Sequence, residues 1–392
     1  MVDAIFFLLN LLSALILLAW TVLLLLMYRN ERRNIYLERL GGGVGNVRVS
    51  VIVPARNEER RIASCLSSLI SQRDVTMEVL LVDDESTDST ATITLRDFVP
   101  LGVTYIRPPR KPAEWQGKSW ACWTGYSESR GELLLFVDSD TEFLDDRVVA
   151  DAITYMERTG ADAVSLVPDL KAETIASKTL LPTLWNLLYM LTPPARTNDP
   201  NDRLSFFFGA FILVKKGVYQ YVGGHEGVRS HLLDDKALGE RIKQSGFKVA
   251  LLNAERRLTA TFNETFSEYF NAMLRLFGEY MKTSSWSHLL IYGLGAFLVF
   301  TLPIAFVALG LITNALLILL TSSSTLVITM AATALRLRRM GRPVWTAPLS
   351  LVSGFIILCA ITFAVVTGLR GSMTISWRGR VYTVRSDDSG LH

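Results

Sequence analysis

Long apolar runs lie near both ends of the chain, and between them short apolar runs alternate with polar stretches. Residues 5–27 are almost unbroken apolar sequence, which at about 1.5 Å per residue is long enough to cross a bilayer as a helix. No basic segment precedes this run and no small-residue cleavage site follows it, so the pattern favours a retained membrane helix over a removed signal peptide. We therefore predict an N-terminal transmembrane helix within residues 1–28.

Three arginines, Arg29, Arg32 and Arg33, follow that run directly. Basic residues beside a membrane helix favour the cytoplasmic side of the bilayer. The sequence thus predicts that the next domain, residues 47–261, lies in the cytoplasm.

Strands and helices are predicted to alternate within this domain. Its apolar runs show little polar alternation, which is typical of strands that are buried on both faces. The order βαβα therefore predicts an α/β fold with a doubly wound, mainly parallel sheet. Strands are predicted at residues 49–53, 77–82, 103–106 and 132–137, and helices at 59–71, 88–98 and 118–129.

The last third of the chain is apolar again. Residues 288–335 are apolar enough for two spans broken near Thr313 and Asn314, and residues 344–369 form another run. We therefore expect about three transmembrane helices within residues 288–370 and a multi-pass protein embedded in the bilayer. Four spans from an outside N-terminus place the tail, residues 371–392, outside, whereas its basic residues favour the inside, so its side is left open.

Two segments, residues 175–191 and 262–287, mix aromatic with polar side chains. Such amphipathic segments often lie at the level of the lipid headgroups. An ordinary core helix of the central domain gives the same pattern, so both interpretations stand. We assign residues 262–287 to an interfacial segment in the division of the chain.

Net charge and cysteine content limit the classes of partner and the compartment that the chain suits. The chain has 392 residues, is 50% hydrophobic and carries a formal net charge of only +3, which gives no argument for nucleic acid. The cysteines Cys65, Cys122 and Cys359 are widely spaced, without the pattern of a disulfide framework or a zinc site, and indicate a reducing compartment. No nucleic-acid partner is therefore expected, the apolar runs indicate the lipid bilayer, and the oligomeric state is left open.

Candidate chemistry lies where the predicted strands end. Asp138 and Asp140 follow the apolar run 133–137, and further acidic residues follow two earlier strands, at 54–58 and 83–88. Parallel sheets bind ligands at the carboxyl ends of their strands, and oxygen-rich corners suit Mg²⁺. Each segment alone is equally explained as a capped or solvated turn. Three acidic strand ends at one edge of a sheet are harder to explain by capping.

These strand ends carry a resemblance. The sequences V-I-V-P-A-R-N-E at 51–58, L-L-V-D-D-E-S-T-D at 80–88 and F-V-D-S-D at 136–140 resemble the family 2 glycosyltransferases of GT-A (Rossmann-like) fold over roughly residues 47–261. W-Q-G-K-S-W-A at 115–121 and L-D-D-K-A-L at 233–238 are similar to the membrane-bound lipid branch, which includes ceramide, chlorobactene and hopanoid-associated glucosyltransferases. The terminal I-S-W-R-G-R at 375–380 fits the same branch.

The resemblance implies roles for individual residues. Asp138 and Asp140 would hold the donor diphosphate through Mg²⁺ or Mn²⁺, and Asp83 would contact the nucleoside. Lys118 is a point charge suited to phosphate, although a solvated helix start is the alternative. The residues implied to bind the nucleotide-sugar are Pro54, Arg56, Asn57, Glu58, Asp83, Asp84, Lys118, Asp138 and Arg275.

A second acidic pair, Asp234 and Asp235, begins a predicted helix, where the helix dipole also favours acids. The resemblance aligns the pair with the family's catalytic Glu-Asp motif and makes Asp235 the base. The Gln-x-x-Arg-Trp motif of processive synthases is reduced to Arg275 within residues 272–276. Arg275 is therefore either a diphosphate ligand or a headgroup-facing arginine.

The expected function is inverting, metal-dependent transfer of one sugar, with UDP-glucose the expected donor, to a hydroxyl of a membrane lipid. The alternatives are a polyprenyl-phosphate sugar transferase or a polysaccharide synthase, and the lost motif weighs against the synthase. A non-catalytic membrane binding protein is the third; it predicts loss of the carboxylates, yet Asp138, Asp140 and Asp235 are all present. The sequence identifies neither the sugar nor the lipid.

Overall fold

The computed structural model describes residues 2–41, 44–283, 293–370, 372–377 and 380–385. The chain divides into two compact units. The central unit comprises Arg33–Lys171 and Thr192–Phe262, and the apolar-helix unit comprises Met1–Arg32, Ala172–Leu191 and Asn263–His392.

The strands are β1 (Arg48–Ala55), β2 (Thr76–Asp83), β3 (Val103–Ile106), β4 (Leu133–Phe136), β5 (Thr141–Phe143), β6 (Ala163–Val167), β7 (Asp169–Leu170), β8 (Ile212–Lys215), β9 (Val249–Asn253), β10 (Leu258–Ala260), β11 (Ser372–Trp377) and β12 (Arg380–Arg385). The α-helices are α1 (Val2–Glu31), α2 (Ile62–Ile70), α3 (Thr90–Ile93), α4 (Gly117–Ser127), α5 (Val148–Thr159), α6 (Ile175–Leu191), α7 (Pro194–Asn198), α8 (Lys216–Tyr221), α9 (Asp234–Gln244), α10 (Phe266–Thr283), α11 (Leu302–Thr313), α12 (Leu316–Arg339) and α13 (Leu349–Leu369).

A seven-stranded sheet forms the core of the central unit, in the order β3-β2-β1-β4-β8-β6-β9. β1 pairs in parallel with β2 and β4, β2 with β3, and β6 with β9. Only β8 runs antiparallel to its neighbours, β4 and β6. The predicted doubly wound, mainly parallel α/β sheet is confirmed, since β1 after Arg48 and all of β4 are buried as their apolar runs require.

The predicted elements are confirmed with small shifts at their ends. The largest shift is in α2, which begins at Ile62 rather than at Glu59. The backbone N–H of Glu59 donates to Asp88 Oδ2 at 3.0 Å, and Glu59 Oε2 accepts from the Ser89 N–H. These bonds hold Glu59 in the loop between strand and helix. Farther on, α3 is a single turn that continues as a π-helical turn at residues 94–98.

The order of strands places a switch point between β1 and β4. From β1 the chain builds outwards through β2 and β3, and then returns to the other side of β1 with β4. In open α/β sheets such a point opens a crevice at the carboxyl ends of the two strands. The second sheet of the unit, β5-β10-β7, begins directly after this point, at Thr141.

In the described residues of the apolar-helix unit, three helices are long and apolar enough to cross a membrane: Asp3–Glu31, Leu316–Arg338 and Leu349–Leu369. The helix α11 is apolar but shorter. The predicted break near Thr313 is confirmed, because Asn314 adopts a left-handed conformation with φ +54° that ends α11. The described residues thus provide two C-terminal helices of spanning length, and a helical stretch from 293 to 313 with a π-helical turn at 297–301 occupies the first of the about three predicted spans. Residues 288–292 of the first predicted span lie outside the described residues.

The two aromatic segments belong to the apolar-helix unit. Both α6 and α10 pack against α13, so neither is a core helix of the central unit. The predicted continuous domain 47–261 is therefore interrupted by Ala172–Leu191, whose apolar face finds its partners among the other apolar helices. The interfacial position predicted for residues 262–287 stays a prediction, and its residues 284–287 lie outside the described ones. In the tail, β11 and β12 form a hairpin, and residues 378–379 and 386–392 are not described.

Candidate active site

The ammonium of Lys118 lies among carboxylates at the crevice beside β4. Its Nζ is 2.7 Å from Asp138 Oδ1 and 3.9 Å from Asp234 Oδ1. Burial works against the charge on Lys118, but Asp138, Asp234 and Asp235 together raise its pKa well above the ordinary value. The lysine is therefore held in its charged form, and the structure brings together Lys118 and three of the predicted acids.

Gly209 joins the two acidic motifs through its backbone. The Asp138 N–H donates to the Gly209 carbonyl at 3.0 Å, and the Gly209 N–H donates to Asp235 Oδ2 at 3.1 Å. A Cβ at this position would lie 2.5 Å from both Asp138 Oδ2 and Lys118 Nζ. Only glycine allows the main chain this close to the charged groups. Gly209 has no side chain to reveal this role, and its one signal in the sequence is a glycine within the aromatic run 206–211.

The two acids of the predicted catalytic pair, Asp234 and Asp235, differ in burial and in contacts. Asp235 is half-buried beside Gly209, and its Oδ1 accepts the Lys236 N–H at 2.8 Å. Burial raises the pKa of Asp235; Lys118 opposes the rise, and Asp234 and Asp138 add to it. Asp234 is only 6% exposed, and its Oδ2 lies 3.7 Å from His225 Nε2. Asp235 is thus the more exposed acid of the pair, and Asp234 is buried against His225.

Asp140 belongs to a second group of carboxylates, around the buried thiol of Cys65. Burial raises the pKa of Cys65 well above its ordinary value, and the charges of Asp140, Glu58 and Asp138 raise it further. The thiol stays protonated, so the groups available for a cation are carboxylate oxygens. That donor chemistry fits Mg²⁺ or Mn²⁺ and disfavours thiolate-bound metals. Asp138 and Asp140 therefore fit the predicted metal-binding role.

The loops after β1 and β2 are hydrogen-bonded to each other. Arg56 donates to the carbonyls of Asp84 and Glu85, at 2.5 and 3.2 Å. The Asn57 N–H donates to Ser86 Oγ at 3.0 Å, and Asn57 itself adopts φ +54°. Glu85 also has a left-handed backbone, with φ +58°. Strained residues held by their surroundings concentrate at functional sites, which agrees with the predicted nucleotide pocket.

Asp83 lies at the end of β2, 3% exposed, and is fixed from two sides. Its Oδ2 accepts from the Tyr105 hydroxyl at 2.7 Å, and its Oδ1 accepts from the Ser86 N–H at 2.9 Å. Burial and the Asp83 charge raise the pKa of Tyr105 to about 12. A carboxylate has about four acceptor positions, so Asp83 keeps capacity for a ligand. Tyr105 escaped the sequence analysis because it lies inside β3 rather than at a strand end.

The other predicted donor-site residues support these loops or lie elsewhere. Pro54 is buried within β1, and Asp84 is 5% exposed at the start of the second loop. Glu58 is buried and ion-paired with Arg61 at 3.3 Å. Arg275 lies on α10 in the apolar-helix unit, so its predicted contact with the diphosphate stays a prediction.

Known proteins resemble this chain in sequence and in fold. Residues 50–223 match the model of glycosyl transferase family 2. The 4,4'-diaponeurosporenoate glycosyltransferase of Staphylococcus haemolyticus is 30% identical over 224 residues, which cover 56% of this chain and 57% of that protein. Its counterpart in Staphylococcus aureus strain USA300 is 28% identical over 204 residues, covering 52% and 53%. The chain thus spans just over half the length of these curated relatives.

Among solved structures, a mannosyltransferase from Pyrobaculum calidifontis, determined in complex with GDP-Man and Mn²⁺, is similar in fold. It superposes with a TM-score of 0.55 at 18% sequence identity, covering 90% of this chain and 99% of that one. The expected fold is confirmed, and the expected family agrees with the match over residues 50–223. Within these residues the chain carries a domain that matches glycosyl transferase family 2 and has the GT-A fold.

Proposed function

We propose that this protein is an inverting, metal-dependent glycosyltransferase that moves one sugar, glucose from UDP-glucose, to a hydroxyl of a membrane lipid. The observation that carries the proposal is the cluster of Lys118, Asp138 and Asp235 at the crevice of the family domain. The described part of the same chain also holds three helices long and apolar enough to cross a membrane.

At the donor end of the reaction, the two acids Asp138 and Asp140, here called the metal motif, bind the metal. Asp138 and Asp140 would hold a divalent cation, which when bound offsets the negative charge that grows on the leaving diphosphate. Lys118 supplies a second positive charge next to Asp138. The loops that carry Arg56, Asn57 and Asp83 border the place where open α/β sheets bind nucleotides. These loops would orient the base and ribose.

The acceptor end uses Asp235 as general base. As the acceptor oxygen attacks the anomeric carbon, its proton passes to the Asp235 carboxylate, and the bond from that carbon to the phosphate oxygen breaks with its electron pair. Two backbone N–H groups orient the carboxylate, and the burial that raises its pKa makes it a better proton acceptor. One in-line displacement inverts the anomeric centre, so an α-linked donor gives a β-glycoside.

A lipid acceptor is supported by the apolar helices and by the relatives, which are named for transfer to 4,4'-diaponeurosporenoate. An acceptor that stays in the bilayer requires the enzyme to be in the membrane too. The arginines after the first helix favour a cytoplasmic central unit, where nucleotide-sugars are available. The mannosyltransferase of similar fold binds GDP-Man, so GDP-mannose belongs in the test.

The test is donor-dependent labelling of lipids. Membranes from cells expressing the full chain are supplied with radiolabelled UDP-glucose, UDP-galactose or GDP-mannose together with Mn²⁺, and labelled lipids are extracted and identified by mass spectrometry. Membranes with the Asp235→Asn variant are the control. Label from UDP-glucose that is stable to mild acid and removed by a β-glucosidase supports the proposal.

The other outcomes overturn it in distinct ways. Mild-acid-labile lipid label identifies a polyprenyl-phosphate sugar transferase. Label in polymer that organic solvent does not extract identifies a polysaccharide synthase. A β-glycolipid formed only from another donor corrects the sugar, and absence of any label that depends on Asp235 removes the catalytic assignment.

A further inference from the structure

A buried histidine that the proposed mechanism does not use faces the acidic pair. His225 is 1% exposed, and its Nε2 lies 3.7 Å from Asp234 Oδ2. That oxygen is buried and accepts no hydrogen bond from the described part of the chain. A buried carboxylate oxygen without a donor is costly, and the ring N–H of His225 is placed to compensate it.

The Asp234 carboxylate and the Tyr219 hydroxyl together determine which ring nitrogen of His225 carries the proton. The Tyr219 hydroxyl accepts the backbone N–H of His225 at 2.9 Å and lies 2.9 Å from His225 Nδ1. If Nδ1 carried the proton, the Nε2 lone pair would face the Asp234 carboxylate and be repelled by it. With the Tyr219 O–H donating to Nδ1, the proton is on Nε2 and points at Asp234.

Burial, together with the charge of Lys118, lowers the pKa of His225 to about 3, so the ring is neutral near neutral pH. Burial raises the pKa of Tyr219 well above its ordinary value, so its hydroxyl keeps its proton. The contact with Asp234 is thus between a fixed N–H dipole and a carboxylate. Its distance exceeds that of a hydrogen bond, and contacts of this kind shorten when a substrate complex forms.

The local fold enforces this arrangement. Gly224 adopts φ +48°, and a Cβ there would lie 2.3 Å from atoms of the Tyr219 ring. The Gly224 N–H donates to the Tyr219 carbonyl at 2.9 Å, which returns the chain onto that ring. Phe136, two residues before Asp138, lies with its ring centroid 4.7 Å from His225 and 5.3 Å from Tyr219. The imidazole is therefore fixed against the strand that ends at the metal motif.

We propose that His225 is a positioning residue: its Nε2–H, fixed by Tyr219, holds the Asp234 carboxylate so that helix α9 presents Asp235 to the acceptor hydroxyl. This inference rests on the proposed function, because it names how the base of that reaction is oriented. Asp234 in turn lies 3.9 Å from Lys118, so the same contact keeps the lysine between the two acidic motifs.

The first test needs no transfer activity. The full chain contains four histidines, and ¹⁵N-histidine-labelled protein in lipid bilayers is studied by solid-state NMR, with His225→Gln identifying the signal. We expect a neutral ring protonated at Nε2 from about pH 5 to about pH 8. A ring protonated at Nδ1, or one that titrates in this range, overturns the proposal.

A bound metal is the competing explanation of the cluster. Three side chains, Cys122, His225 and Asp234, each place one ligand atom within 4.8 Å of the others. A small movement of these side chains would bring the three atoms to the distances that a transition metal requires. Elemental analysis of the purified chain decides. Stoichiometric zinc that is lost in His225→Phe overturns the proposal, since Nε2 would then be a ligand, and metal-free protein with the Nε2–H ring supports it.

The second test measures how His225 affects sugar transfer, with UDP-glucose as donor and the labelled membrane lipid as product. His225→Phe is expected to lower kcat about 10- to 100-fold with the KM for UDP-glucose nearly unchanged, as for a displaced catalytic group. His225→Gln, whose amide N–H reaches the Nε2 position, is expected to restore most of kcat. Equal losses in both variants, or a change in KM alone, overturn the proposal.

The Tyr219→Phe substitution, made in the wild-type chain and in His225→Gln, measures the coupling between Tyr219 and His225. It is expected to lower kcat in the wild-type chain and to have little further effect in His225→Gln, where no ring tautomer remains to be fixed. Tyr221→Phe, at a 74% exposed tyrosine on the same helix, is the matched control and keeps wild-type kinetics. Absence of transfer by the wild type removes the proposed function, while the NMR result still decides the arrangement at His225.

Discussion

Lys118 Nζ and Asp138 Oδ1 lie 2.7 Å apart, so the metal-motif acid is paired with a lysine from the first turn of α4. The same ammonium is drawn to Asp234 and Asp235. One positive charge against three carboxylates leaves this described cluster negative. A nucleoside diphosphate would be repelled unless a divalent cation entered with it. The charge balance of the site thus gives a physical reason to expect the proposed metal dependence.

The pair predicts the effect of removing Lys118. Lys118→Ala should lower kcat/KM for UDP-glucose about 100-fold, because Asp138 loses its counter-ion and the phosphates lose a positive partner. Lys118→Arg should recover part of this loss, since its planar guanidinium keeps the charge but not the geometry of an ammonium. Initial rates of lipid labelling against donor concentration measure both.

Lys215→Ala is the matched control. Lys215 pairs with Asp162 at 2.8 Å, but it aligns with Leu133 at the start of β4, the opposite edge of the sheet from Asp138. An exposed pair of this kind contributes little to stability. Wild-type kinetics are expected, and equal losses in the two alanine variants would show that the effect of Lys118 is not local.

Metal removal is the second prediction. EDTA should abolish lipid labelling, and Mn²⁺ or Mg²⁺ should restore it. Asp138→Asn and Asp140→Asn should each leave less than about 1% of the activity, because each removes a charged oxygen ligand. Asp162→Asn, an acid outside the site, is the control. Mn²⁺ binding followed by electron paramagnetic resonance separates lost binding from lost chemistry, and transfer insensitive to EDTA would contradict the metal role.

The third prediction concerns the close approach of the Gly209 main chain to Asp138 and Lys118. Gly209→Ala places a methyl group 2.5 Å from Asp138 Oδ2 and Lys118 Nζ, so the charged pair must move apart. Moving Asp138 and Lys118 far enough to relieve this overlap is expected to lower kcat/KM about 100-fold. Gly217→Ala is the control, because a Cβ there meets nothing within 4 Å. Wild-type activity in Gly209→Ala would show that the crevice tolerates the shift.

The fold and the acidic strand ends could be predicted because both follow from local pattern. Apolar runs define the strands, and the carboxyl ends of parallel strands share one edge, so Asp83 and Asp138 had to face one crevice. The contributions of Gly209 and His225 could not be predicted this way. They depend on where the antiparallel strand β8 and the loop before α9 return to the sheet, which no local period encodes. The return of residues 172–191 to the apolar helices is equally a matter of tertiary packing.

The last prediction concerns pH. Asp235 must be ionised to accept a proton, and burial raises its pKa above the usual value of about 3.9 for aspartate. The rate is therefore constant above this raised pKa and falls about tenfold per unit below it, so the acid limb lies at higher pH than for an exposed aspartate. Initial rates at saturating UDP-glucose and Mn²⁺, from about pH 4 to about pH 8, measure the limb.

Loss of the bound metal in acid would also lower the rate, and metal concentration separates the two causes. Excess Mn²⁺ opposes that loss and moves its limb to lower pH, whereas the limb of Asp235 stays in place. Asp235→Glu should keep a limb at a shifted position with reduced kcat, and Asp235→Asn should show no recovery at any pH. A limb that follows the Mn²⁺ concentration, or a flat profile down to about pH 4, would remove Asp235 as the titrating base.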